Sequence, residues 1–368
     1  MDRPLSAIVL AAGEGTRMRS SRPKPLHLLC GRAMVLYVLD SLVECDVRRA
    51  VVVVGHGAER VTKKLVDAAP HVPLEFVEQH VQRGTGDAVS VALTAFPPED
   101  LDESDADLLV LPGDTPLLRA STIAALVEAH RASDAACTML TARMADPTGY
   151  GRVVRGRDDR VERVVEQADA TDDERAIDEV NTSIYCFRAS LLAPALRRLS
   201  PENAQGEYYL TDVVGVLAGA GYQVAAVAAD DAADTQGVND RLQLSTAEAE
   251  LRRRTNEAWL RKGVTMLDPE RTYVDATVEL ATDVTLFPGT MLQGRCVIGA
   301  GAEIGPDTRL VDCVVGAGSV VEHTVGRDAE IGEDTVVGPF AALDAGSRVP
   351  DGARTGPFYT ATLADPAQ

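Results

Sequence analysis

Positive charge is scarce in this chain of 368 residues. Its 36 lysines and arginines stand against 56 aspartates and glutamates, leaving a net charge of -20. Nucleic acid and anionic membrane surfaces both demand a basic footprint, so neither is expected as the main partner. A small anionic ligand is not excluded, because a few local cations suffice for one. Long apolar runs are also missing. The opening "MDRPLSAIVLAAG" is far too short for a signal peptide's apolar region or a membrane span, and no later stretch is long enough to span. Cysteine is sparse and unpatterned: Cys30, Cys45, Cys137, Cys186, Cys296 and Cys313 include no C-x-x-C. That argues against a metal cluster and for buried, reduced thiols in a cytoplasmic protein.

What is present is an ordinary globular composition, 45% hydrophobic and 25% charged, with length for two or three domains. Up to about residue 230, short Val/Ile/Leu-rich runs alternate with helical patterns. The runs are "AIVLAA", "VVVVG" (51–55), "LLVL" (108–111), "CTMLTA" (137–142), "NTSIYCF" (181–187) and "VAAVAA" (224–229). Helices are predicted near 33–44, 58–68, 87–96, 121–131, 190–198 and 211–220. Such alternation implies an α/β fold with a mostly parallel, doubly wound sheet, whose ligands bind at the carboxyl ends of the strands. Residues 241–262 read as one polar helix, with Arg252, Arg253 and Arg254 on its solvated face.

The C-terminal part changes period. Leu280, Leu286, Leu292, Ile298, Ile304 and Leu310 recur every sixth position. The register slips around "VDCVVGAGSVVEH" and is read as resuming at Val325, Ile331, Val337, Leu343 and Val349. A period of six suits a parallel β-helix whose apolar residues point into a prism. The predicted boundaries are 1–238 for a nucleotide-type α/β domain, 239–263 for a linker helix, 264–355 for the β-helix and 356–368 for a tail.

The chemistry-bearing stretches cluster after predicted strands. "LAAGEGTRMRSSRPKPLH" holds Gly13 and Gly15, whose backbone could approach an anion, and Arg17 and Lys24, which could neutralise phosphate oxygens. It lacks the third glycine of the dinucleotide fingerprint and the G-K-[ST] of a P-loop, so a solvated basic loop stays open as an alternative. In "LLVLPGDTPLL", Asp114 sits at a strand's carboxyl end, where it could hold Mg²⁺, although aspartate is common in turns. "QRGTGDA" opens a helix with Gly84, Thr85 and Gly86, either for a polar ligand or as a plain N-terminal turn. "PTGYGRVV", "VVEQADAT", "VNTSIYCF", "NAQGEYYLTD" and "TQGVNDRLQL" add amides, carboxylates and tyrosines beside apolar runs.

Taken in this order, the motifs resemble those of the sugar nucleotidyltransferases. They are most similar to the GlmU-type family of bacterial cell-wall precursor synthesis, which joins N-acetylglucosamine-1-phosphate uridyltransferase to glucosamine-1-phosphate acetyltransferase. The similarity covers about residues 5–340. It implies a Rossmann-like domain followed by a left-handed parallel β-helix. It also implies Mg²⁺-dependent transfer of UMP from UTP to N-acetylglucosamine 1-phosphate, giving UDP-N-acetylglucosamine and pyrophosphate. Carried over by position, Leu10, Ala11, Ala12 and Gly13 would contact the nucleotide through backbone. Gln79, Gly84 and Thr85 would meet the base. Arg17 and Lys24 would act on the triphosphate, and Asp114 and Asn239 would hold Mg²⁺. Gly151, Glu166, Asn181, Glu207, Tyr209 and Asn239 would border the sugar phosphate.

This chain departs from the family pattern in places. Asp87 stands where His is frequent, Pro112 where tyrosine or a small polar residue is frequent, Asp240 where Asn is frequent, and Ser183 where glycine is usual. Asp344 replaces an expected arginine and Thr362 an expected lysine. These changes, with the missing acetyl-transfer residues, lead to the expectation of a shortened β-helix remnant and no acetyltransferase activity. A homotrimer through the β-helix is compatible with the resemblance. A nucleotidyltransferase for another hexose 1-phosphate and a non-catalytic sugar-nucleotide-binding paralogue are the alternatives.

Overall fold

The computed structural model describes residues 3–68, 72–97 and 106–362. The chain divides into two compact units. Residues 1–27 and 33–244 form the first, and residues 28–32 and 245–368 the second.

The first unit is built on a mixed sheet. Its strands are β1 (Leu5–Ala11), β2 (Ala50–Val54), β3 (Leu74–Glu78), β4 (Asp107–Pro112), β5 (Cys137–Arg143), β6 (Gly151–Arg155), β7 (Val161–Val165), β8 (Glu179–Arg188) and β9 (Val224–Ala228). The main order is β9-β5-β8-β4-β1-β2-β3, with β6 paired to β8 and β7. β1 runs parallel to both β2 and β4, whereas β8 is antiparallel to β4 and β5. The apolar runs are continuous because both sheet faces are covered. Ile8, Val51, Val53 and Val110 enter one core, while Ala7, Val9, Val52 and Leu109 enter the other.

Among the described residues the helices are α1 (Met34–Val43), α2 (Ala58–Ala68), α3 (Thr85–Leu93), α4 (Ala120–Ser133), α5 (Asp172–Arg175), α6 (Ala189–Leu196), α7 (Asp212–Gly219) and α8 (Arg241–Arg261). Three strands have no counterpart in the predicted runs. β3 is an edge strand with no fully buried residue, and β6 and β7 interleave arginine and glutamate with valine. Their mixed polarity hid them from a search for buried apolar runs. The one-turn α5 is held by a capping box in which Thr171 and Glu174 serve each other's backbone N–H groups.

Helix α8 begins in the first unit and ends in the second. Its arginines are engaged rather than uniformly solvated. Arg253 bridges Glu250 and Glu257, Arg254 pairs with Glu250, and Arg252 lies over the Tyr273 ring at 4.7 Å.

The second unit is the parallel β-helix expected from the period of six, left-handed as the resemblance implies. Short strands stack in register into three parallel sheets of five, six and five strands. Leu280, Leu286, Leu292, Ile298, Ile304 and Leu310 are all buried, between 0% and 8% exposed. The slip has a concrete cause. The inward residues continue as Val315, Val321, Gly326 and Ile331, so the sides Leu310–Val315, Val321–Gly326 and Gly326–Ile331 each advance five positions instead of six. Val325 is therefore not an inward residue: it is 59% exposed, and Gly326 takes the interior place. Gly326 pairs with Leu310 below and Leu343 above. A Cβ on Gly326 would come within 3.1 Å of Leu310 Cδ2, because the larger neighbours already fill that space.

A second row of small residues lines the corners of the prism. Thr290, Cys296, Ala302, Thr308, Cys313, Ser319, Thr324 and Thr335 are all fully buried. Several hydroxyls stitch adjacent coils. Thr308 Oγ1 donates to the Val321 carbonyl at 3.3 Å and accepts from the Thr324 N–H at 3.3 Å. Ser319 Oγ donates to the Gly332 carbonyl at 2.7 Å and accepts from the Thr335 N–H at 3.0 Å. Strand Thr360–Ala361 adds a rung within the stretch assigned to a tail. Burial pushes the Cys296 thiol up to about 11, as expected of an inert core cysteine.

Candidate active site

A cavity of about 600 Å³ opens in the first unit, beside the carboxyl ends of β1 and β4. β1 delivers Leu10, Ala11, Ala12 and Gly13 to its wall. The chain then enters a 3₁₀ turn, Thr16–Met18, with Gly15 in the left-handed region at φ 64°. Glycine is required at that position twice over. Any other residue would be strained there, and a Cβ would sit 2.7 Å from Lys24 Cβ. Buried Met18 anchors the turn, leaving Arg17 exposed. A second 3₁₀ turn, Lys24–Leu26, is shaped by Pro23 and Pro25 and presents Lys24 to the cavity.

Beside Lys24 stands Asp114, just beyond β4. Lys24 Nζ forms an ion pair with its Oδ2. Asn239 is tied to the same point: the Val238 N–H donates to the Asp114 carbonyl at 2.9 Å. Asn239 Oδ1 accepts from Arg17 Nη2 at 3.0 Å and from Lys24 Nζ at 2.8 Å. Gln243, one turn into α8, accepts the Asn239 N–H at 2.7 Å. Residues 17, 24, 114 and 239, far apart in sequence, thus form one hydrogen-bonded cluster of two cations, one carboxylate and one amide.

The amide side of the cavity is equally organised. Gln79, 5% exposed, follows β3 and lines the cavity. The "GTG" stretch packs on the segment 207–210. Gly84 has φ 105°, and a Cβ there would meet the Tyr208 carbonyl at 2.6 Å. Gly86 donates its N–H to that carbonyl at 2.8 Å. The Thr85 hydroxyl accepts the Leu210 N–H at 3.0 Å, which gives it a bracing role in addition to its place at the cavity wall.

Gly151, Glu166, Asn181 and Glu207 also line the cavity, with Glu207 against Gly84. Burial raises the Glu166 carboxyl above its usual range, aided by Asp212 and Asp169 and opposed by the hydrogen bond from the Thr211 hydroxyl at 3.0 Å. Asn181 Oδ1 accepts the Ser183 N–H at 3.2 Å. Ser183 has φ 60°, at an irregularity in the pairing of β8 with β5. Glycine adopts that backbone freely and serine does so under strain, which explains why a glycine suits this position.

One predicted residue is not brought to the cavity. Tyr209 is 7% exposed and is not among the residues that line the cavity. Others line it without having been singled out: Glu14, Gln82, Thr148, Tyr150, Thr235 and Gln243. Gln82 donates to the Ala12 carbonyl at 2.7 Å and so closes the loop after β1. Only its nearness to "GTG" in sequence could have suggested it.

No group of three or more His, Cys, Asp or Glu side chains that could hold a metal occurs among the described residues. Asp114 and Asn239 nevertheless offer hard oxygens side by side, facing two cations suited to phosphate. That donor set fits Mg²⁺, which commonly takes one or two carboxylates together with substrate phosphates.

The sheet and this cluster define a nucleotidyltransferase, and residues 7–214 match the MobA-like NTP transferase domain family. The relationship extends past that domain. A "Bifunctional protein GlmU" of Thermobifida fusca is 48% identical over 90% of this chain and 68% of its own length. Those of Mycolicibacterium vanbaalenii and Streptomyces coelicolor are 45% and 44% identical, over 97% and 98% of this chain and 72% and 73% of their own lengths. The chain belongs to the GlmU family of bifunctional proteins. Because these alignments run through the coils as well, the β-helix is a shared part of the family, and the comparisons do not support the shortened remnant expected from sequence. No helix among the described residues is long and apolar enough to cross a membrane.

Proposed function

We propose that this protein is a uridyltransferase of the UDP-N-acetylglucosamine pyrophosphorylase type, acting with Mg²⁺ in the cytoplasm. The observation that carries this reading is the convergence of Arg17, Lys24, Asp114 and Asn239 on one cavity wall. A phosphate oxygen of N-acetylglucosamine 1-phosphate attacks the α-phosphorus of UTP. The new P–O bond forms as the bond to the β-phosphate oxygen breaks, and pyrophosphate leaves with that electron pair. The nucleophile is already anionic, so no general base is required.

The chain's own residues then position and neutralise. Arg17 and Lys24 offer donors to oxygens that gain charge, and Asn239 keeps the two cationic heads side by side. Glu166, Asn181 and Gly151 border the sugar phosphate. Asp114 and Asn239 would hold Mg²⁺, which would supply further charge neutralisation at the phosphates. Ser183 beside Asn181 favours keeping a second reading, a transferase for another hexose 1-phosphate.

The test is pyrophosphate release with Mg²⁺, a panel of nucleoside triphosphates and a panel of sugar 1-phosphates. Release with UTP and the N-acetyl sugar is expected. Release with glucose 1-phosphate alone supports the second reading, and none from any pair supports a non-catalytic paralogue. Asp344 and Thr362, where arginine and lysine were expected, support an absence of acetyl transfer. Acetyl-CoA with glucosamine 1-phosphate should then give no product, and turnover overturns that part. A trimer formed through the β-helix is proposed on the resemblance and is tested by mass in solution.

A further inference from the structure

Gln79 carries a side-chain amide whose two ends are chemically opposite, one donating and one accepting. Its orientation is a matter of what surrounds it, and here the surroundings are unambiguous. Gln79 Nε2 lies 2.7 Å from Asp87 Oδ2 and 3.2 Å from the Gly84 carbonyl oxygen. Both partners are acceptors, so the nitrogen must face them and the amide cannot be reversed without setting oxygen against oxygen. Among the described residues, Gln79 Oε1 accepts no hydrogen bond, and the side chain lines the cavity. Asp87 is well placed for this task. It lies in the first turn of α3, where a carboxylate is favoured by the unsatisfied N–H groups of the helix start, and its backbone is fixed by the helix.

We infer that Asp87 is a positioning residue for base selection, holding the Gln79 amide oxygen toward the cavity so that the site accepts a pyrimidine bearing an N–H donor and rejects one bearing a lone pair. The inference rests on the reading that Gln79 meets the base. Uracil and thymine present N3–H to such an oxygen. Cytosine presents an unprotonated N3, which would face Oε1 lone pair to lone pair. Discrimination then comes from a repulsive contact as well as an attractive one, and the repulsive one exists only while the amide is locked. The Gly84 carbonyl supplies one of the two locks through the backbone. Asp87 supplies the charged one, and it is the one a substitution can remove.

The experiment compares UTP with CTP, as kcat/KM at saturating sugar 1-phosphate and as equilibrium binding by calorimetry, in four proteins. The wild type should favour UTP in both measurements. Asp87→Ser keeps a residue well suited to a helix start but cannot reach Gln79. It should lower the UTP-to-CTP ratio by about tenfold, the worth of one charge-assisted hydrogen bond, through a raised KM for UTP. The KM for the sugar 1-phosphate should stay as it was. Asp87→Asn retains a carbonyl oxygen in the same place and should restore most of the ratio, which a merely structural contribution of the charge would not do. Gln79→Leu is the control and should collapse the ratio. An unchanged ratio in Asp87→Ser, with the Gln79→Leu ratio collapsed, overturns the role of Asp87 and leaves the parent reading standing. An unchanged ratio in Gln79→Leu overturns the parent reading itself, and the inference with it. Calorimetry reads the same comparison in a variant whose turnover is lost.

Discussion

The two units use polar residues and glycine in opposite ways. In the β-helix a role is repeated: Thr308 and Ser319 make the same pair of bonds to the following coil, and Leu286, Ile304 and Val337 occupy equivalent interior places. In the α/β unit each role occurs once. Gly15 serves a single close approach to Lys24, and Asn239 alone receives both cations. Repetition makes a fold readable from a single period. It also makes each residue replaceable in kind, since neighbours contribute the same type of contact. A converging site offers no such redundancy, because every member faces a different partner.

That contrast can be broken or sharpened by mutation. The largest effect is expected at the unique cluster. Lys24→Ala or Arg17→Ala should reduce the rate of pyrophosphate release by roughly 10²–10³, the cost of losing one preorganised donor to developing charge. The fold should be unchanged by circular dichroism, and a near-normal rate would remove these residues from their assigned role. Next comes the repeated interior. Ile304→Ala empties a fully buried site and should cost about 2–5 kcal/mol in denaturant unfolding. In a stack where each coil touches only its neighbours, protection from hydrogen exchange should fall in the coils and hold in the sheet around Ile8. Equal loss in both would show that the units do not unfold separately. The smallest effect is at Ser183. Ser183→Gly relieves a left-handed backbone and should stabilise the first unit by about 1 kcal/mol in the same assay. A destabilised variant would mean that the serine side chain contributes more than its backbone costs.

Much of the architecture was legible before any coordinates. The predicted buried strands and six helices appear with ends shifted by a few residues, because continuous apolar runs and helical spacing are properties of the chain itself. The strands β3, β6 and β7 were not legible, since edge position and charged alternation carry no such mark. The hexad rule gave the β-helix but misplaced its slip. The period places Val325 inward, and only the packing of Leu310 and Leu343 assigns that place to Gly326. The cluster of Arg17, Lys24, Asp114 and Asn239 came from motif resemblance and is assembled by the sheet. What no motif conveys is which atom faces which. The oxygen of Gln79, the bracing bond of Thr85 and the burial of Tyr209 are decided by neighbours remote in sequence.

The stitching hydroxyls of the β-helix have a direction. Ser319 gives its proton to Gly332 and takes one from Thr335, while Thr308 takes one from Thr324 and has the Val321 and Pro306 carbonyls as acceptors for its own. All of these partners but Pro306 lie further along the chain. If a coil peels away, the hydroxyl of the coil before it loses its partners, and an N–H of the coil after it loses its acceptor. Each seam is therefore shared, the hydroxyl belonging to one coil and the groups it satisfies to the next, like courses of masonry in which each row is keyed to the one laid after it.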